Sequence, residues 1–369
     1  VLTLIVSGAA AEAADVPFNW NLPRGFPVPF VPAGNPITHA KVRLGRALFY
    51  EPKLSVTGQQ SCSSCHRPEL AFTDGKPRAV GATGQLHPRS AMTLTNVAYN
   101  ATFTWADPTF DSLEAQVLQP LFNEHPVEMG LTGREPQVLD ALRADSRYPT
   151  LFASAFPESA EAVSIVNVAR AIASFERTLI SGRSAFDRYV FDDDRSGMSE
   201  AARRGMALFY SGRTGCAQCH SGVNFSGPVR TQRQPAVEGA YANTGLYNVD
   251  GHGAYPPDAP GIRTVTGKAR DEGRFRVPTL RNIALTAPYM HDGSIATLAG
   301  VIEHYSAGGR QRPLGSAARS AFKDARIHPL QMTAQDKTDL VAFLESLTDE
   351  EFVSNPQFRE EAASSVASR

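Results

Sequence analysis

Cys62-Ser63-Ser64-Cys65-His66, answered later by Cys216-Ala217-Gln218-Cys219-His220, decides how this chain folds. Two cysteines with two residues between them and a histidine directly after form the attachment pattern of a c-type haem. The thiols make thioethers to the porphyrin vinyl groups, and the adjoining imidazole binds iron from one face. The chain has 4 cysteines in all, so two covalently bound haems c use every thiol. Cys62, Cys65 and His66 hold one; Cys216, Cys219 and His220 hold the other. Two disulfides or one four-cysteine zinc site are the alternatives. A zinc ribbon separates its pairs by about 15–20 residues, far less than the gap here, and neither alternative accounts for His66 and His220.

Upstream of each motif the chain repeats itself. Gly45-Arg46-Ala47-Leu48-Phe49-Tyr50 leads into the first, and Gly205-Met206-Ala207-Leu208-Phe209-Tyr210 into the second. Self-similarity at one long offset means two related units. Thr38 caps a helix to about Tyr50 and Ser199 one to Tyr210. Helices are expected over 113–121, 136–144 and 163–180, where Ile165, Val168, Ile172, Phe175 and Leu179 recur at three and four. Thr333 caps a final helix through Leu347. Proline (26) and glycine (29) are plentiful, so the expected fold is mainly α. It consists of two cytochrome c-like haem domains joined at a pseudo-twofold interface, with long ordered loops. Residues 36–194 and 195–354 form the two domains, divided at the polar turn Asp192-Asp193-Asp194-Arg195-Ser196-Gly197. A proline- and aromatic-rich arm (15–35) precedes them, and a loose polar tail (355–369) follows.

At 369 residues, 42% hydrophobic and 20% charged, the chain can bury two cores. A net charge of -1 argues against nucleic acid or an anionic membrane surface as a partner. Apolar residues 1–6 running into Ala9-Ala10-Ala11-Glu12-Ala13-Ala14 resemble the remainder of a secretory signal (1–14). Haem attachment of this kind occurs outside the cytoplasm, so the expected address is periplasmic. No run approaches the about 20 apolar residues of a membrane span.

A haem with one histidine has an open sixth position, whose occupant separates electron carriers from catalysts. Here the residues carry a resemblance. The two haem motifs, Val127-Glu128-Met129-Gly130, and Arg276-Val277-Pro278-Thr279-Leu280-Arg281-Asn282 through Pro288-Tyr289-Met290-His291-Asp292-Gly293 are similar to the bacterial di-haem cytochrome c peroxidase and MauG superfamily over nearly all of 36–350. The resemblance implies a peroxidatic first domain and an electron-transfer second domain. It implies a distal ligand to the second haem seventeen residues after Pro288, which is Tyr305. Tyrosine there is the MauG-like choice, where peroxidases have methionine; Met290 and His304 are the rival ligands, with Tyr305 then a packed aromatic. For the first haem it implies Glu128 as the carboxylate that takes a proton from peroxide and returns it to the leaving oxygen, with Glu124 and His125 as rival bases. Gln116 and Pro120 line the same pocket, Pro120 excluding a sixth ligand. Trp105 lies between the haems, carrying an electron hole or simply packing at a domain seam. A calcium ion implied between the haems would take Thr286, the Pro288 carbonyl and Ser90, with Asn96 a substitute. His87 occupies the loop from which ordinary peroxidases cap the first haem, although a lone loop histidine is more often solvated.

Within the superfamily, Phe103-Thr104-Trp105-Ala106-Asp107-Pro108, Pro120-Leu121-Phe122-Asn123-Glu124-His125-Pro126 and Tyr241-Ala242-Asn243-Thr244-Gly245-Leu246-Tyr247-Asn248 are most similar to the MbnH type, found with methanobactin and related copper systems. That implies an oxidase using hydrogen peroxide to form a bis-Fe(IV)-type state, which oxidises tryptophan to kynurenine in a periplasmic, MbnP-like copper-binding protein. The alternatives are a peroxidase reducing hydrogen peroxide with electrons from a small cytochrome or cupredoxin, and a non-enzymatic di-haem carrier.

Overall fold

The computed structural model describes residues 18–310 and 321–361. The expected signal remnant (1–14), the first residues of the arm and the end of the tail lie outside them. Eleven α-helices, eight short 3-10 turns and one two-stranded ladder make up the regular structure of the described residues. The first half holds α1 (His39–Phe49), α2 (Leu113–Phe122), α3 (Glu135–Ala144), α4 (Tyr148–Ala155) and α5 (Ile165–Glu176). Then come α6 (Ala185–Phe191), α7 (Glu200–Tyr210), α8 (Arg263–Thr266), α9 (Leu298–Ser306), α10 (Ala334–Glu345) and α11 (Glu350–Ser354). Strands β1 (Tyr241–Ala242) and β2 (Phe275–Arg276) pair antiparallel. None of the described helices is long and apolar enough to cross a membrane.

Each half is organised by one helix crossing. The helix before each cysteine motif packs on a later one: α1 on α5, and α7 on α10. At both crossings the repeat glycine is the point of contact. A Cβ on Gly45 would overlap the carbonyl oxygen of Ala171 and touch Phe175; one on Gly205 would overlap that of Asp339 and touch Phe343. Ala171 and Phe175 are four apart, as are Asp339 and Phe343, so the two crossings use the same register. Side chains at spacing four share a helix face, which is why one small residue lets a whole face approach. Capping fixes where these helices begin: Thr38, Ser199 and Thr333 accept the backbone N–H of Lys41, Ala202 and Asp336.

Packing changes hands earlier than the polar turn at 192–197. Leu179 belongs to the core containing Leu48, Phe49, Ile172 and Phe175, whereas Phe186 on α6 already belongs to the core of Phe209, Phe225 and Phe343. The chain end then returns: Phe352, Val353 and Phe358 pack into the first core. The segment after Asn355 is therefore not a loose tail as far as it is described. Phe358 stacks near Phe352 and Phe72, Tyr50 Oη donates to its carbonyl at 2.6 Å, and Arg46 pairs with Glu361. An aromatic ring with a place in a core outweighs the polarity of its neighbours. The N-terminal arm lies across both halves, with Phe26 buried against Tyr99 and beneath the Arg281 guanidinium.

A buried knot of polar groups joins the halves. Asn96 and Asn282 both adopt left-handed backbone (φ 57° and 58°) ahead of matching short turns. Asn96 Oδ1 accepts from Ser181 N at 2.7 Å and its Nδ2 donates to Ser181 O at 2.8 Å. Asn282 Nδ2 donates to Ser181 Oγ at 3.0 Å, and its Oδ1 accepts from Asp349 N at 2.7 Å. Asp349 Oδ2 in turn accepts from Gly182 N and Arg183 N at 2.8 and 2.9 Å.

Candidate active site

Each cysteine motif forms a short 3-10 turn, Cys62–Ser64 and Cys216–Gln218, and lines its own cavity. All four thiols are free, and no cluster of three or more histidine, cysteine, aspartate or glutamate side chains among the described residues could share one metal ion. The disulfide and zinc alternatives therefore find no support. The two histidines are held identically. His66 Nδ1 meets the Phe72 carbonyl and His220 Nδ1 the Phe225 carbonyl, both at 2.9 Å. The two phenylalanines share a left-handed backbone (φ 61° and 50°), which turns those carbonyls inward. A carbonyl fixes the proton on Nδ1 and leaves Nε2 as the free lone pair, the arrangement of a metal-ligating imidazole. Burial lowers the pKa of both rings, keeping them neutral.

The residues present fit two haems. Arg276 lines both cavities, is buried, and its Nε has no partner among the described residues; Arg89 Nε is likewise orphaned beside the first cavity. Buried, unpaired guanidinium donors call for anionic acceptors, which haem propionates supply.

The first cavity gathers Gln116 and Pro120 from α2 together with Glu128, Trp105 and His87. Glu124 and His125 are exposed and do not line it, which leaves Glu128 as the carboxylate within reach of a bound oxidant. Burial pushes its carboxyl up to about 6, while a hydrogen bond from Asn123 lowers it. The second cavity is lined by Tyr305 and Met290 but not by His304, whose Nε2 donates to the Thr244 carbonyl at 3.0 Å. Trp105 lines both cavities, with its Nε1 donating to Ser90 O at 3.0 Å.

Between them lies a third, small cavity of about 70 Å³ lined by Ser90, Thr286 and Pro288. Asn96 does not line it: both atoms of its amide are committed to Ser181, so it is not the substitute cation ligand it was expected to be. Asp74 does, and its Oδ2 is a buried oxygen without a partner among the described residues. In the sequence Asp74 is an ordinary turn residue before Gly75 and gives no signal.

Glu176 was also missed, though it left a trace as the acidic residue on the apolar stripe of α5. It lines the first cavity, and burial pushes its carboxyl up to about 8. Counting on from Phe175 and Phe343, the other half has Leu344 in its place. Because the folded pKa exceeds the ordinary 4.5, the unfolded chain gives up this proton first, and stability falls as pH rises from about 4.5 to about 8. In Glu176→Leu the stability gap over wild-type holoprotein should widen by about 1–3 kcal/mol between pH 5 and 8. Parallel denaturation curves at the two pH values would contradict this.

Comparison with known proteins gives a consistent picture. A family model described as di-haem cytochrome c peroxidase matches residues 39–195. The methylamine utilization protein MauG of Methylorubrum extorquens is 36% identical, with 93% of this chain and 90% of that protein covered. The cytochrome c551 peroxidase of Pseudomonas aeruginosa is 32% identical over 85% of this chain and 80% of its own length. Among solved structures, a MauG-like protein associated with microbial copper homeostasis superposes with a TM-score of 0.88 at 42% identity, covering 93% of this chain and 99% of that one.

Proposed function

Because the chain belongs to the di-haem cytochrome c peroxidase and MauG family, we propose that it is a MauG-type oxidase that spends the two oxidising equivalents of hydrogen peroxide on a residue of a partner protein. The proposed target is a tryptophan in a periplasmic copper-binding protein of the MbnP kind, converted to kynurenine by two successive molecules of peroxide, with the indole C2 carbon leaving as formate. Likeness to the copper-homeostasis protein supports that choice. The observation that carries the reading is Tyr305, which lines the second cavity with Cys216, Cys219 and His220 while His304 is turned away to Thr244.

Two haems c on the paired cysteines and on His66 and His220 supply the redox chemistry. Tyr305 lines the cavity of His220, and as a phenolate ligand to a haem held there it would favour oxidised iron where a thioether favours reduced iron. Pro120 presents a rigid, donor-free ring that keeps a protein ligand off the peroxide side. Glu128 takes a proton from peroxide and returns it to the departing oxygen, so that water leaves. Gln116 orients the bound oxidant. Trp105 offers an oxidisable indole in the wall shared by the two cavities. Ser90, Thr286, the Pro288 carbonyl and Asp74 form a hard-oxygen site suited to calcium.

Stoichiometric peroxide added to the diferric protein without reductant should give a long-lived oxidised spectrum, and mass spectrometry of the partner should then show an oxygenated tryptophan. Inertness until one haem is reduced would favour the alternative, reduction of peroxide with electrons from a small cytochrome or cupredoxin. Tyr305→Met should raise the second haem's potential by on the order of a few hundred millivolts and abolish the long-lived state. An unchanged redox titration would remove Tyr305 from the iron.

A further inference from the structure

We propose that His87 is a fixed positioning partner of Glu128, holding an N–H against its carboxylate and aiming that carboxylate into the first cavity. It does not swing onto the metal. The inference rests on the reading that Glu128 serves the bound peroxide.

The loop carrying His87 and the segment carrying Glu128 are tied into one piece. Within the loop, Val80 pairs with Leu86, His87 N donates to Ala79 O at 2.8 Å, and Arg78 Nε donates to His87 O at 2.8 Å. Across to the other segment, Ala82 N donates to Glu128 O at 2.6 Å and Val127 N to Gln85 Oε1 at 3.0 Å. Gly81 sits so close that a Cβ there would overlap the Val127 carbonyl oxygen. Gln60 Nε2, beside the first haem motif, donates to Val80 O at 2.8 Å. Moving the His87 backbone would break its bonds to both Ala79 and Arg78.

The ring's own bonding fixes its tautomer. Arg89 N donates to His87 Nδ1 at 3.1 Å. With Nδ1 an acceptor, a neutral imidazole carries its proton on Nε2, and Nε2 lies 3.6 Å from Glu128 Oε1. Burial, then the Arg89 and Arg78 charges, hold His87 down to about 4, so it faces Glu128 as a neutral donor at pH 7. The separation is a little beyond a hydrogen bond, and such contacts commonly tighten once the reacting molecule is bound. Asn123 is the group hydrogen-bonded to the Glu128 carboxylate, and burial lowers Arg89 against the opposing charges of Asp258 and Asp107. A donor to the ionised form favours it, so His87 keeps Glu128 available as a base.

His87→Phe removes the donor and keeps a ring; His87→Gln keeps an N–H. In the haem-loaded protein, His87→Phe should move the acid limb of the peroxide-rate profile up by about one pH unit, roughly tenfold in rate below that limb. The Glu128 carboxyl stretch, identified by infrared difference against Glu128→Gln, should titrate higher by the same amount. His87→Gln should restore most of both, and the resting ferric spectrum should stay as in wild type. An unmoved limb and stretch would overturn the proposal, as would a change to a five-coordinate resting spectrum, which would mean that the imidazole had capped the iron. If Glu128→Gln itself reacts with peroxide at the wild-type rate, the reading of Glu128 falls first and this inference with it.

Discussion

Glu128→Gln should slow the reaction of the diferric protein with peroxide by about 10²–10⁴-fold while both haems remain attached. The substitution keeps the side chain's size and its contact with Asn123 but removes the proton acceptor. Burial has lifted this carboxyl to about 6, close enough to neutrality that it is ionised at pH 7 and still able to hand a proton back. In wild type the rate should therefore fall as pH drops through about 6; in the variant that limb should vanish with the rate. Glu124→Gln is the matched control, since Glu124 is exposed and outside the cavity. Equal loss in both variants, or none in Glu128→Gln, would remove Glu128 from the chemistry.

The second large effect is structural. Gly45→Val and Gly205→Val each place side-chain atoms where a carbonyl oxygen of the facing helix already lies. Forcing atoms into a packed contact costs about 1–3 kcal/mol, occasionally more, and here the obstacle is backbone, which cannot rotate aside. Alanine at either glycine already carries the overlap and should cost at the upper end of that range, with valine beyond it, read as a fall in the denaturation midpoint of the holoprotein. The two positions should behave alike, because their surroundings repeat. A wild-type midpoint for either valine variant would show that α1 and α5, or α7 and α10, do not cross at these glycines.

What the sequence revealed depended on how local the physics is. Haem attachment demands a fixed spacing of thiols and imidazole within five residues, so both sites could be read directly. Helix starts at Thr38, Ser199 and Thr333 were equally legible, since a cap and its N–H are three residues apart. Trp105, Glu128 and Tyr305 are legible only through family resemblance, because nothing local distinguishes them from other partly buried side chains. Phe26, Phe186 and Phe358 sit in cores set by distant segments, and the local polarity around Phe358 pointed the other way. Asp74 matters only because Ser90, Thr286 and Pro288 arrive beside it. Asn96, a substitute oxygen ligand for Ser90 on the family resemblance, has its amide consumed by Ser181 instead.

The Ser181–Asn96–Asn282–Asp349 knot bears on the proposed passage of charge between the two cavities. Two compartments hinged by a flexible tether would vary in separation, and electron tunnelling, which decays steeply with distance, would vary with it. Here the tether is a buried lattice of short hydrogen bonds with both compartments built into it. In the proposed charge path, the separation of the two cavities whose shared wall holds Trp105 is thereby set by the fold.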